Sequence, residues 1–324
     1  VLVVPAADVP LRIAVPLPPA LKLKPDQAVQ LYEPGGAGQP IAAQLAPAIA
    51  EDGTVDSQTA RLLAVIPPSP VKATSNSGGP ESSLRRLVLR SVEKVSADGP
   101  AFALEDVDDK SLKLSYGGKP VMVYNHGVIT NPRVPASDHR RSRACYVHPL
   151  WGLSGEELTD DFPKDHYHHH GVFWTWPHVG VDGKQHDLWA GNTIWQRFVR
   201  WLGRQTGPTA AVLGVENGWF VGQQKVMIER VWFCCYADAE DSRVLDLNFT
   251  FIPTDKPITL QGAEGKSYGG LTVRFKPGAR KDTLITIPSG PTTEDLPDTK
   301  LQWADFTSLF AGAAQRSGAA IFIH

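Results

Sequence analysis

Apolar residues recur at every second position over much of this chain. Between residues 243 and 252, Leu245, Leu247, Phe249 and Phe251 share one parity, and Asp246, Asn248 and Thr250 share the other. Successive side chains of a strand point to opposite faces, so the pattern predicts an antiparallel strand with one wetter face. Residues 224–237 read as one long strand, with Val226, Ile228, Trp232 and Cys234 on one parity. The turn Ala239-Glu240-Asp241-Ser242 separates the two. Shorter strands are predicted at 11–15, 61–66, 87–89, 121–124, 271–275 and 284–287. Residues 70–83 are rich in Gly, Ser and Pro and read as a flexible loop, and residues 303–314 predict one short helix. No internal repeat or heptad pattern is present. The fold class expected is all-β, a large antiparallel β-sandwich. An N-terminal strand region, 1–95, is expected to pack on a main sandwich, 96–324.

Composition supports this and narrows the function. The 324 residues include 29 glycines and 27 prolines, punctuation suited to many short strands. Lys plus Arg is 32 and Asp plus Glu is 34, a formal charge of −2, so no basic field exists for bulk binding of nucleic acid or anionic membrane. No run of about 18 uninterrupted apolar residues occurs, so no membrane-inserted helix is expected. Three cysteines, two of them adjacent (Cys234 and Cys235), do not make a disulfide framework. Neighbours on a strand face opposite ways, which predicts one core and one surface cysteine. The chain starts at Val1 and stops at His324 after the run Ala319-Ala320-Ile321-Phe322-Ile323, so residues are expected to be missing at both ends.

Candidate chemistry concentrates at Asp165-His166-Tyr167-His168-His169-His170, where four of the ten histidines lie within five residues. If this segment is extended, His166, His168 and His170 share one face, and Asp165, Tyr167 and His169 take the other. Two imidazoles at that spacing point into one space and suit a metal or an oxyanion. If a divalent metal is bound, His166, His168 and His170 are its ligands; no cofactor is otherwise implied. Asp165 would orient a histidine. Hydrogen-bonded structural networks also gather histidines, and one strand supplies only two converging ligands. His148, before Pro149, is a second candidate; His126 sits at an expected turn, and His178 and His186 in a loop-like stretch. Trp174, Trp176, Trp189, Trp195 and Trp201 crowd the same region, and one or two of them are expected to line a pocket, the rest being core. Glu216, Glu229 and Glu264 fall in or beside strand patterns, Glu229 against the apolar parity of its strand and Glu264 in a glycine-rich turn. No dinucleotide loop, P-loop or G-x-S-x-G elbow occurs.

Three motifs carry a family likeness: Tyr146-Val147-His148-Pro149-Leu150, then Leu158-Thr159-Asp160-Asp161-Phe162-Pro163, then Asp165-His166-x-His168-His169-x-Gly171. Arg243-Val244-Leu245-Asp246, the Glu264-Gly265 turn leading to Gly269 and Arg274, and Ala320-Ile321-Phe322-Ile323-His324 agree with it. On these residues the chain, over roughly 60–324, resembles the bacterial "methane oxygenase PmoA-like" family. Tyr167 and His170 depart from it, since members usually carry Pro and Arg there, and loss of that Arg removes a bidentate anion partner. The membrane oxygenase subunit of that name is an integral membrane protein, whereas this chain has no spanning segment. The resemblance implies a sandwich like that of galactose mutarotases and polysaccharide lyases, a small-molecule or oligosaccharide substrate, and export to the periplasm or beyond.

On this reading the expected function is an enzyme acting on a saccharide by hydrolysis, elimination or epimerisation. His148, His166 and His168 are its candidate acids and bases and Glu264 their carboxylate partner. Asp165, His169, His170, Trp174, Trp176, Arg274 and His324 are its candidate binding residues. A non-catalytic carbohydrate-binding protein and a metal-dependent oxidoreductase are the alternatives.

Overall fold

In the computed structural model, strands Trp195–Thr206, Ala210–Val221, Gln224–Tyr236 and Leu245–Pro253 form an antiparallel sheet in sequence order. The structure describes residues 1–35, 39–68, 84–93, 99–239, 241–266, 268–276, 282–297 and 299–323. No α-helix occurs among them. The expected loop at 70–83 and His324 lie outside the described residues.

A second sheet has the order Gly270–Val273, Val172–Thr175, Tyr146–Leu150, Lys119–Asn125, Ser111–Tyr116, Phe102–Asp106. The two sheets close over a core of Leu114, Met122, Tyr124 and Trp174 from one side and Leu213, Val215, Val231 and Phe233 from the other. Leu245, Leu247, Phe249 and Phe251 pack against it, the face their alternation marks. This is an all-β sandwich. A third sheet, from Leu284–Ile287, Gly290–Thr292, Trp303–Ser308 and Ser317–Phe322, follows it. The helix expected at 303–314 is instead a strand and a turn. Trp303–Ser308 pairs with Leu284–Ile287 on one side and with Ser317–Phe322 on the other. That pairing satisfies its backbone, and Phe306 stacks on Phe275 at 4.1 Å, so tertiary partners override a weak local preference.

Strands Leu2–Pro5, Leu11–Pro16, Val29–Tyr32, Ile41–Ile49, Val55–Ile66 and Leu84–Ser91 form a separate six-stranded sheet around Val29, Leu31, Leu45, Leu62 and Leu87. It packs on the outer face of the four-stranded sheet, where Ala46 and Leu63 meet Val212, Trp232, Cys234 and Tyr236. Trp232 Nε1 donates to Gly53 O at 2.8 Å and Arg230 Nη1 to Asp52 O at 2.6 Å across this junction. The middle strands therefore have two dry faces. This corrects the cysteine expectation: the two thiols do face opposite ways, but Cys234 lies in the junction and Cys235 in the main core, and both are buried. Burial pushes the Cys234 thiol up to about 11 and the Cys235 thiol up to about 12.

His178 and His186 belong to strands, not a loop: His178–Val181 and Lys184–His186 form a hairpin, and Asp182 and Gly183 take the positive φ of its turn. The chain between Leu150 and Val172 leaves the six-stranded sheet and returns to it. It is tied down by Leu158 N to Leu150 O (2.8 Å), Asp160 N to Arg274 O (2.8 Å) and Arg274 N to Gly171 O (2.7 Å). The histidine cluster rides on this excursion.

Candidate functional site

Pro163 has no N–H to give a ladder, and the residues after it turn rather than extend. His166 N donates to Pro163 O and His169 N to His166 O, both at 2.9 Å, so residues 163–169 make two successive turns. The single face expected for His166, His168 and His170 does not form. Turn geometry instead stacks the rings of His166 and His169 at 4.6 Å and 11°. His168 stands edge-on to both, at 5.6 and 4.7 Å. His170 turns the other way and is buried among Tyr146, Phe162 and Phe173. Among the described residues no group of three or more His, Cys, Asp or Glu side chains is placed to hold a metal ion.

Asp165 and Arg274 organise the exposed part. The Asp165 carboxylate accepts from Arg274 Nη2 at 3.0 and 3.1 Å and lies 2.9 Å from His166 Nδ1. The His166 bond, then Arg274, holds Asp165 at about 2. Arg274 Nη1 is 3.3 Å from His169 Nδ1. A guanidinium has only donors, so Nδ1 accepts and Nε2 of His169 carries the proton. Burial, then the charges of His168, His166 and Arg274, lowers His169 to about 3. It is a neutral hydrogen-bonding group at physiological pH. His168 Nδ1 is buried without a partner among the described residues, and burial lowers this ring too.

Beneath them lies a carboxyl that sequence reasoning did not single out. Asp161 Oδ1 is 2.7 Å from His170 Nδ1, and Oδ2 accepts from the Tyr146 hydroxyl at 2.8 Å. Its side chain is 12% exposed. Burial pushes Asp161 up to about 6, against the charge of His148 and the Tyr146 bond. Burial lowers His148 and His170 in turn, so the group favours neutral forms. His148, half-buried, holds Thr159 Oγ1 at 3.0 Å through Nδ1, and the same oxygen accepts from Leu150 N. Phe162, next to Asp161, sits at φ +49°, a strained conformation for a bulky residue. Asp161 lies in the motif Thr159-Asp160-Asp161-Phe162, which was the signal available.

The aromatics divide. Trp174 faces the core and is 1% exposed. Trp176 is half-buried against Trp219 and Phe251. The ring beside the histidines is Trp189, 5.8 Å from His169, with the exposed Tyr268 packed on it at 4.8 Å. Tyr268 closes the turn that carries Glu264, since Ala263 N donates to Tyr268 O. The Glu264 turn thus reaches the flank of the cluster through Tyr268. Glu264 itself is exposed, and no hydrogen bond or ion pair joins it to these histidines among the described residues.

A second polar cluster is enclosed between the sheets. Glu229 is 0% exposed and accepts from Asn217 Nδ2 (2.7 Å), Trp219 Nε1 (2.6 Å) and Gln196 Nε2 (2.7 Å). Gln196 Oε1 accepts in turn from Arg143 Nη2 at 2.7 Å. Arg143 is buried, which lowers it to about 10. Burial raises Glu229, opposed by the three donors. The odd positions Met227, Val231, Phe233 and Cys235 around it are all core, so Glu229 is the acidic exception on a core-facing parity. Glu216 faces the other way and pairs with Arg230 and Arg200 at 3.0 and 2.9 Å.

Residues 111–324 match the model of a protein family of unknown function, DUF6807. The chain belongs to this family. The DUF6807 match begins at the strand Ser111–Tyr116 and takes in both polar clusters, while the N-terminal sheet lies before it. The chain matched no curated protein and no solved structure. For this DUF6807 protein, chemistry has to be read from the site. A neutral imidazole donor, an Asp–Arg pair and an exposed tyrosine lie at the histidine turns, beside a carboxyl that burial brings to about 6 and imidazoles that burial lowers.

Proposed function

We propose that the protein is a carbohydrate-active enzyme that handles a saccharide over the histidine turns, with Asp161 and His148 as its acid–base pair. The observation that carries this is Asp161, a nearly enclosed carboxyl brought to about 6 beside imidazoles, where it both gives and takes a proton at physiological pH. His169 Nε2, Asp165 and Arg274 offer donors and acceptors to ring hydroxyls, and Tyr268 offers an aromatic face. The likeness of the His148 and His166–His169 motifs to the PmoA-like family, with its galactose-mutarotase-like sandwich, supports a sugar substrate by analogy of fold. Export to the periplasm or cell exterior belongs to the same proposal. Asp161 here takes the place expected for Glu264, because it is hydrogen-bonded to His170 of the cluster and Glu264 is bonded to none of these histidines among the described residues.

The test is a panel of mono- and oligosaccharides assayed for binding and for turnover. At least one is expected to be converted, with a limb near pH 6 in the rate profile. Asp161→Asn and His148→Gln are expected to cut turnover by about 10²–10⁴-fold, the usual worth of a positioned acid or base. Binding without turnover would favour a carbohydrate-binding protein. Turnover unchanged in both variants would overturn the acid–base assignment.

A further inference from the structure

A cleft of about 400 Å³ bordered by none of the cluster histidines opens between the turn at Ser154–Glu156 and the segment from Ala311 to Ser317. Its volume is that of a small-ligand site, commonly ~300–1,000 Å³. Small residues, Gly155 and Gly312 with Ala311, Ala313 and Ala314, leave the space open. Three features give it chemistry. Glu156 borders it and is 7% exposed. Its Oε2 accepts from Ser154 N at 3.0 Å, a bond that fixes the carboxylate in place. Ser317 Oγ, on the opposite wall, is buried with no partner among the described residues. No Lys, Arg or His is among the described residues that border the cleft. The adjacent Glu157, by contrast, pairs with Lys276 at 3.1 Å.

A largely buried carboxylate costs free energy unless a cation or further hydrogen bonds complete its shell. A buried hydroxyl without a partner asks for one more polar group. Both are met by a compact ligand that carries a protonated amine next to hydroxyls. We infer that this cleft is a binding site for a small hydroxylated amine, with Glu156 as the counter-ion of the ammonium and Ser317 Oγ as partner of a ligand hydroxyl. The inference does not depend on the acid–base reading of Asp161.

Glucosamine is the probe, titrated at pH 6 by calorimetry and by two-dimensional NMR. N-acetylglucosamine is the control, since it keeps the ring and removes the charge. Glucosamine is expected to bind at least tenfold more tightly, with shifts at Gly155, Gly312 and Ala313. Glu156→Gln is expected to abolish the difference between the two sugars. Ala314→Trp, which fills the cleft from an exposed position, serves if Glu156→Gln does not fold and is expected to remove binding altogether. Asp161→Asn should leave glucosamine affinity within twofold. Equal affinity for the two sugars, no binding of glucosamine, a preference for glucosamine that survives Glu156→Gln, or binding that survives Ala314→Trp overturns the inference. So does binding lost in Asp161→Asn, which would move it to the histidine face.

Discussion

Replacing Glu229 by leucine tests whether the enclosed polar cluster holds the sandwich together. The carboxylate is the acceptor for Gln196 Nε2, Asn217 Nδ2 and Trp219 Nε1 at 2.6–2.7 Å, and it has no solvent exposure. Leucine has a comparable size and no acceptor, so all three donors lose their partner at once. Each buried donor left unsatisfied costs about 1–3 kcal/mol, a gross penalty of about 3–9 kcal/mol. Relief from burying a charge, and the added apolar surface, offset part of this. A net loss of about 3–6 kcal/mol is expected, a large share of the ~5–15 kcal/mol that typically stabilises a domain. Urea unfolding followed by tryptophan fluorescence is a suitable assay, because Trp174 and Trp219 lie in this core. The midpoint should fall with the slope unchanged. The double variant Glu229→Leu with Gln196→Leu sharpens the test. Removing acceptor and donor together should cost clearly less than the sum of the single changes. A Glu229→Leu protein within 1 kcal/mol of wild type, or strict additivity in the double variant, would refute the reasoning.

Asp161 and His169 give stability slopes of opposite sign. The folded value of Asp161, about 6, lies above its ordinary 3.8, so its contribution is full below about pH 4 and is lost as pH rises through 6. The loss is at most about 3 kcal/mol at 1.36 kcal/mol per unit. Asp161→Asn can still accept from Tyr146 and donate to His170 Nδ1, so at pH 8 it should be as stable as wild type or more so. A variant destabilised equally at pH 4 and pH 8 would contradict this. His169 is lowered to about 3 from 6.5, so its contribution is present above pH 6.5 and is lost as pH falls toward 3. Its partial exposure screens the effect, and His169→Gln should flatten this acid limb of the thermal-melting profile only in part. Gly171→Ala should cost about 1–3 kcal/mol or more in chemical denaturation, because a Cβ there collides with the Val147 carbonyl and with His148. A neutral result would mean that the strands part easily beneath the histidine turns.

Period-two alternation was enough to read the fold class, since strand side chains alternate whatever their partners. Leu245, Leu247, Phe249 and Phe251 sit on the core face that their parity marks. The density of histidines likewise marked the segment on which His166, His168 and His169 come together. Parity alone could not say how many faces are covered. The expectation of one surface cysteine failed because both faces of that strand are covered: the N-terminal sheet covers the parity of Cys234, from far away in sequence, and the main core takes the parity of Glu229 and Cys235. Strand spacing also could not show that Pro163 starts two turns, which stack His166 on His169 and send His170 inward to Asp161. The strand at Trp303–Ser308 was hidden for the same reason: its neighbours, not its composition, complete its hydrogen bonds. The sequence by itself determined the alternation, the turns around glycine and proline, and the stock of chemical groups. The tertiary structure alone decided which groups lose water and which charges meet, and those two effects set the protonation of Asp161, His169 and Glu229.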